Sequence, residues 1–285
     1  MKNLFKSAII AVVTVFGFTS NAQTAPTENS LLWEISGNGL TKPSYLFGTL
    51  HVICGKEYIL RPKVKEAFAK TTKLALEINI TDSDEMAYMQ KSAMGTELLS
   101  KKLSPSQLTT LDSILQKQAG LSVKQIDNYT MATVMSLLAI KSFGCQDLKM
   151  YEMELAAFAK EDKKMVIGLE TIKDQMDFLN KSYSEVQMLE FFKYINEAET
   201  RKLVQNYVNE NVLAIYQDVT DEKVMDANAK KWMLDVRNAN WIKKMPELMK
   251  AESVFFAVGS GHLAGDMGLI NLLRKEGYIV KPVMN

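Results

Sequence analysis

The 285-residue chain contains two histidines, His51 and His262. Imidazole is the commonest metal ligand, and it is the side chain best suited to moving protons near neutral pH. The pair is far apart in sequence but shares one local setting. His51 closes Tyr45-Leu46-Phe47-Gly48-Thr49-Leu50-His51, and His262 closes Phe255-Phe256-Ala257-Val258-Gly259-Ser260-Gly261-His262. Each is an apolar, aromatic strand followed by Gly-x-x-His. Ligands of α/β sheets bind beyond the C-terminal strand ends, which is where both imidazoles are expected. The glycine is expected to let the backbone turn sharply there without interference from a Cβ.

Two carboxylates occupy comparable places. Glu77 falls within the apolar run Leu74–Ile80, where an ionised carboxylate is costly unless paired or metal-bound. Glu170 ends the run Met165–Leu169. Two imidazoles with one or two carboxylates make a divalent-metal site with a position open to water. The metal would lower the pKa of that water, and the second carboxylate would act as general base. Plainer roles exist for each residue. A histidine near a loop serves as a hydrogen-bonding structural group, Glu77 as a strand-edge residue facing solvent, and Glu170 as an acid stabilised by the following helix dipole. The shared pattern, more than any single residue, argues for a site.

The elements that must position these groups follow from periodicity and punctuation. Strands are predicted at Leu31–Ser36 and Ser44–Val52, joined through Gly37-Asn38-Gly39 and Thr41-Lys42-Pro43. Pro62 opens a helix to Thr71, and Lys73–Ile80 reads as a buried strand. The centre is helical, with Ser104 and Gln107 forming a capping box and one long helix over Ser184–Tyr216. Lys164–Glu170 is a short strand within it, and Asp221–Met249 one or two amphipathic helices. At the end come a strand over Ser253–Val258, a helix over Asp266–Glu276 capped by Gly277, and a last strand over Tyr278–Val283. Both termini therefore read as strand, Gly-x-x-His, helix, strand, with the helical region (about 84–250) as an insertion or lid.

Two lookalikes are set aside. Gly259-Ser260-Gly261-His262-Leu263-Ala264 matches a dinucleotide fingerprint, but the chain ends one strand later, so a Rossmann domain cannot be completed. Ser260 does not sit in G-x-S-x-G, because Val258 holds the first glycine position.

Lys2 and Lys6 precede the apolar run Ala8–Phe18, and Ser20-Asn21-Ala22 fits the small-x-small rule. The run is shorter than the ~20 residues that span a bilayer. A signal peptide over 1–22 is therefore expected, with export to the periplasm or exterior and a single domain over 23–285. The rival is an uncleaved anchor helix. With 34 basic and 33 acidic side chains, the chain has no electrostatic reason to bind nucleic acid or anionic lipid. Export permits a disulfide between Cys54 and Cys145, which are equally consistent with buried free thiols.

These residues resemble the TraB/GumN (TraB/PrgY) family, whose animal relatives are the Tiki membrane metalloproteases. The resemblance is carried by Leu32-Trp33-Glu34-Ile35, Tyr45–His51, Leu76-Glu77-Ile78, Gly168-Leu169-Glu170-Thr171 with Gln175, Arg237-Asn238 with Trp241, and Val258–Gly265. It implies an α/β fold with two pseudo-symmetric halves forming a mixed sheet, similar to the erythromycin-esterase and ChaN-like group. It implies a metal-dependent hydrolase, a peptidase above all, acting on peptide or protein substrates. His51 and His262 inherit the metal or catalytic role, Glu77 and Glu170 match acidic positions, and Arg237 and Asn238 match a polar pair. Arg237 would stabilise an oxyanion or clamp a substrate carboxylate, or else orient Glu170 or Glu77 through a salt bridge. Unlike the animal members, this chain shows no C-terminal membrane helix and is expected to be soluble after export. The alternative is a binding protein whose cleft captures a peptide or haem without turnover, since histidine also ligates haem iron.

Overall fold

The computed structural model describes residues 29–284, so the expected signal segment lies outside the described residues. A six-stranded mixed sheet carries the molecule, in the order β6-β4-β7-β2-β1-β8. Its strands are β1 (Leu32–Ser36), β2 (Ser44–Thr49), β4 (Lys73–Leu76), β6 (Met165–Gly168), β7 (Val254–Gly259) and β8 (Ile279–Pro282). A separate two-stranded ribbon pairs β3 (Ile53–Cys54) with β5 (Leu148–Lys149). β1 runs antiparallel to both its neighbours, β2 and β8. β2, β7, β4 and β6 are mutually parallel. β7 is buried almost throughout, with Phe255 and Phe256 fully enclosed, as expected of a central parallel strand covered on both faces.

The two Gly-x-x-His units are neighbours, because β2 pairs directly with β7 and Thr49 lies opposite Gly259. Each unit returns by a helix, Pro62–Ala69 to β4 in one and Leu269–Lys275 to β8 in the other. The first return steps over β7 alone, whereas the second steps over both β2 and β1.

The central region is mostly helical. Its Pro105–Ala119 helix begins with the expected Ser104–Gln107 capping box. Leu111, Leu115, Val134, Leu138 and Phe192 gather there into a core separate from the one around the sheet. The long helix expected over Ser184–Tyr216 is instead three: Glu185–Phe192, Glu197–Val208 and Val212–Val219. Asn196 and Asn211 cap the second and third with their side-chain oxygens. Asparagine favours such caps over helix interiors because its side chain competes for backbone donors. Cys54 and Cys145 form a disulfide that staples the β3–β5 ribbon. No described helix is long and apolar enough to cross a membrane.

Candidate functional site

Four adjacent parallel strands each deliver one of the expected residues at the same edge of the sheet. Glu170 follows β6, Glu77 follows β4, His262 follows β7 and His51 follows β2. Glu77 is thus just past a strand that ends at Leu76, and not inside it as its apolar surroundings suggested. The chain continues alongside β6's exit there, with the Glu170 N–H donating to the Glu77 carbonyl at 2.9 Å.

The glycines serve close approach more than backbone freedom, since neither Gly48 nor Gly259 has positive φ. A Cβ on Gly48 would lie 2.9 Å from Leu263 Cδ2 and 3.1 Å from Ser260 Cα, so any larger residue would push the two units apart. A Cβ on Gly259 would lie 3.2 Å from Glu77 Oε1, 3.3 Å from His51 Nε2 and 3.6 Å from His262 Cδ2. The space over Gly259 is therefore the common focus of these three side chains. Glu77 Oε1 stands 3.9 Å from the Nε2 of each imidazole and accepts the Gly259 N–H at 2.7 Å.

Arg237 is the hub of the buried side. A π-helical turn, Lys231–Asp235, precedes the helix Val236–Ala251, which buries Arg237, Asn238 and Trp241 toward the strand ends. Such turns shift helical register and are common at functional sites. Arg237 donates from Nη2 to Glu77 Oε2, from Nε and Nη2 to Glu170 Oε1 at 2.9 and 2.6 Å, and from Nη1 to the Met233 carbonyl at 3.1 Å. Trp241 Nε1 donates to Glu170 Oε2 at 2.9 Å, so both Glu170 oxygens are engaged. Gln175 Nε2 adds a bond to Glu77 Oε2 at 3.1 Å.

The two histidines are held differently. Asn238 Nδ2 donates to the His262 and Met267 carbonyls, which turns its Oδ1 toward His262 Nδ1 at 2.6 Å. His262 therefore carries its proton on Nδ1, and Nε2 accepts from Arg237 Nη1 at 3.1 Å. Burial, reinforced by that guanidinium, lowers the His262 pKa to about 3. His51 Nδ1 lies 2.8 Å from Glu152 Oε1, which also accepts from Thr49 Oγ1 at 2.6 Å. Desolvation works to lower the His51 pKa, but the Glu152 carboxylate, helped by Glu77, raises it to about 9. Desolvation likewise opposes ionisation of Glu77, yet Arg237 and both imidazoles hold it far below the usual carboxylate range. Burial leaves Glu170 raised despite Arg237.

Glu152 was absent from the sequence-based set. It sits in the first turn of the Tyr151–Glu161 helix, where an acid reads as an ordinary dipole partner. Only the tertiary fold brings it to His51.

The fit of a divalent cation rests on donor chemistry and charge. Glu77, Glu152 and Glu170 bring three carboxylates against one guanidinium, an excess of one negative charge with His51 cationic and of two once a ligand takes the place of its proton. Glu152 Oε2 is buried with no hydrogen-bond partner among the described residues, and the space over Gly259 is faced by His51 Nε2 and Glu77 Oε1. These features fit a divalent ion at two donors. His262 is a third donor only once Arg237 leaves its Nε2, and among the described residues no three His, Cys, Asp or Glu side chains stand as a ready cage.

Residues 31–282 match the TraB/PrgY/gumN family. The chain belongs to that family. Curated proteins similar to it include metalloprotease TIKI1 of Danio rerio, 22% identical, with 89% of this chain and 63% of the relative covered. Metalloprotease TIKI1 of Homo sapiens is 24% identical over 92% of this chain and 64% of its own length. The metalloprotease TIKI homolog of Nematostella vectensis is 22% identical over 90% of this chain and 67% of its own. This chain thus spans under two thirds of the length of the first two. No solved structure matches it.

Proposed function

We propose that this TraB/PrgY/gumN family member is an exported, metal-dependent hydrolase acting on peptide bonds. The observation that carries the reading is the convergence of His51, His262 and Glu77 on the space over Gly259, at the C-terminal ends of three adjacent parallel strands. That is the edge at which α/β sheets bind their ligands. The metalloprotease relatives supply the choice of chemistry. The same reading takes the two Gly-x-x-His units as halves of a pseudo-symmetric, erythromycin-esterase-like and ChaN-like arrangement.

A divalent ion would be held by His51 and Glu77, with His262 completing the set once Arg237 Nη1 releases its Nε2, and would supply a polarised water and a Lewis acid for the scissile carbonyl. The chain's own residues do the rest. Glu77 Oε1 faces both imidazoles and stays ionised, so the part of ion ligand falls on this atom. Arg237 fixes the other oxygen of Glu77 and holds Glu170, which serves as its anchor and not as a ligand. Asn238 fixes the tautomer of His262. The side chain of His51 is 58% exposed against 6% for His262, so substrate reaches the cluster from the His51 side.

Purified protein offered a peptide library, with chelator and after resupply of Zn²⁺ or Co²⁺, tests this. Cleavage abolished by chelator, restored by the ion and lost in His51→Ala supports it. Stoichiometric peptide retention without turnover would move the site to the binding alternative.

A further inference from the structure

We propose that Glu152 is the positioning residue of His51, holding the ring so that Nε2 faces the open side of the site. This rests on the reading of His51 as a donor there. Glu152 Oε1 accepts from both Thr49 Oγ1 and His51 Nδ1, while Oε2 is buried with no hydrogen-bond partner among the described residues. Among the described residues, His51 is the one cationic or imidazole group within hydrogen-bond distance of this carboxylate. A buried carboxylate with a bare oxygen costs stability that a neutral side chain would not. Its use is to orient the imidazole: a ligating histidine commonly gives its second N–H to a carboxylate, which fixes the ring and raises its basicity.

The backbone is arranged for the same end. β3 and β5 pair antiparallel with Ile53 opposite Lys149. His51 lies just before Ile53 and Glu152 just after Lys149, so both leave the ribbon at one end. Cys54–Cys145 staples that ribbon. Two segments a hundred residues apart in sequence are thereby held in fixed register, and the His51–Glu152 contact follows. His262 receives the equivalent support from a neutral amide, Asn238, so the two imidazoles are positioned by different chemistry.

With two histidines in the chain, ¹⁵N-histidine labelling of the full-length protein shows each imidazole separately. The variants are Glu152→Ala, Glu152→Gln and Thr49→Val, each checked for fold by near-ultraviolet circular dichroism. The readouts are the hydrogen-bonded Nδ1–H signal of His51, assigned by its loss in His51→Gln, and Co²⁺ affinity from visible absorption. In Glu152→Ala the His51 signal is expected to vanish while that of His262 stays, and Co²⁺ affinity to fall about 10–100-fold. Glu152→Gln, which can still accept from Nδ1–H, is expected to recover part of both, and Thr49→Val to shift the His51 signal alone. Should Glu152→Ala fail to fold, the other two carry the test. An unchanged His51 signal in a folded Glu152 variant overturns the proposal, as does equal loss of both histidine signals. If the wild type binds no Co²⁺, the metal reading fails, and the imidazole signals still decide the positioning role.

Discussion

His51 and His262 leave adjacent parallel strands through the same Gly-x-x-His segment, yet one is mostly exposed and backed by carboxylates while the other is buried against a guanidinium. Two carboxylates face His51, Glu152 at Nδ1 and Glu77 beyond Nε2, and they favour its cationic form. Arg237 faces Nε2 of His262 and disfavours it. A repeated motif thus supplies two electrostatic opposites. The difference teaches that strand-end placement comes from the motif, whereas the charge state of each ring comes from what the central helices bring against it.

The largest test of that contrast removes its hub. Arg237→Met leaves the buried Glu77 and Glu170 carboxylates without their guanidinium, and breaking a buried pair by deleting one partner costs about 3–5 kcal/mol. Urea unfolding at neutral pH should show that loss, and a change under about 1 kcal/mol would mean the hub is solvated. The His51 side has its own staple. Cys54→Ser with Cys145→Ser opens a loop of 91 residues' separation and should cost about 2–4 kcal/mol by the same measurement. It should also loosen His51 and leave the His262 imidazole signal in place.

Next come the rings themselves. His262→Ala strands the Asn238 Oδ1 and Arg237 Nη1 contacts, and unsatisfied buried groups cost about 1–3 kcal/mol each. His51→Ala leaves the buried Glu152 Oε1 with Thr49 Oγ1 alone as donor among the described residues, and should cost about 1–3 kcal/mol at neutral pH while removing activity. The loss in His51→Ala should fade as pH rises through about 9 and that in His262→Ala as pH falls toward 3, so losses that vary with pH alike would break the comparison. The pH dependence of stability separates the two rings further. In the metal-free protein the folded-state pKa of His51, about 9, lies above the unfolded value near 6.5. Its contribution is therefore complete below ~6.5 and lost as pH rises through about 9. The folded-state pKa of His262, about 3, lies below the unfolded value. Its neutral ring contributes above ~6.5, and that contribution is lost as pH falls toward 3. Melting temperatures across that range, compared with His51→Gln, should lose the alkaline arm alone.

Much of this was legible in the residues. The apolar runs before Gly48 and Gly259 fixed the central strands, because a strand covered on both faces reads as continuous apolar sequence. A salt bridge from Arg237 to Glu170 or Glu77 is one of the roles the sequence suggests for that arginine, and the fold pairs it with both. Three features escaped. Asn196 and Asn211 break a continuous amphipathic pattern by capping, a local competition that periodicity averages away. The β3–β5 ribbon is too short to leave a signal. Glu152 joins His51 through a contact 101 residues apart, which no local pattern encodes.

The most direct test of the central claim is peptide-library cleavage by the purified protein under metal control. The account predicts activity that chelator abolishes, that a divalent ion restores, and that His51→Ala removes without unfolding the chain. Cleavage undiminished by chelator and by His51→Ala would contradict it.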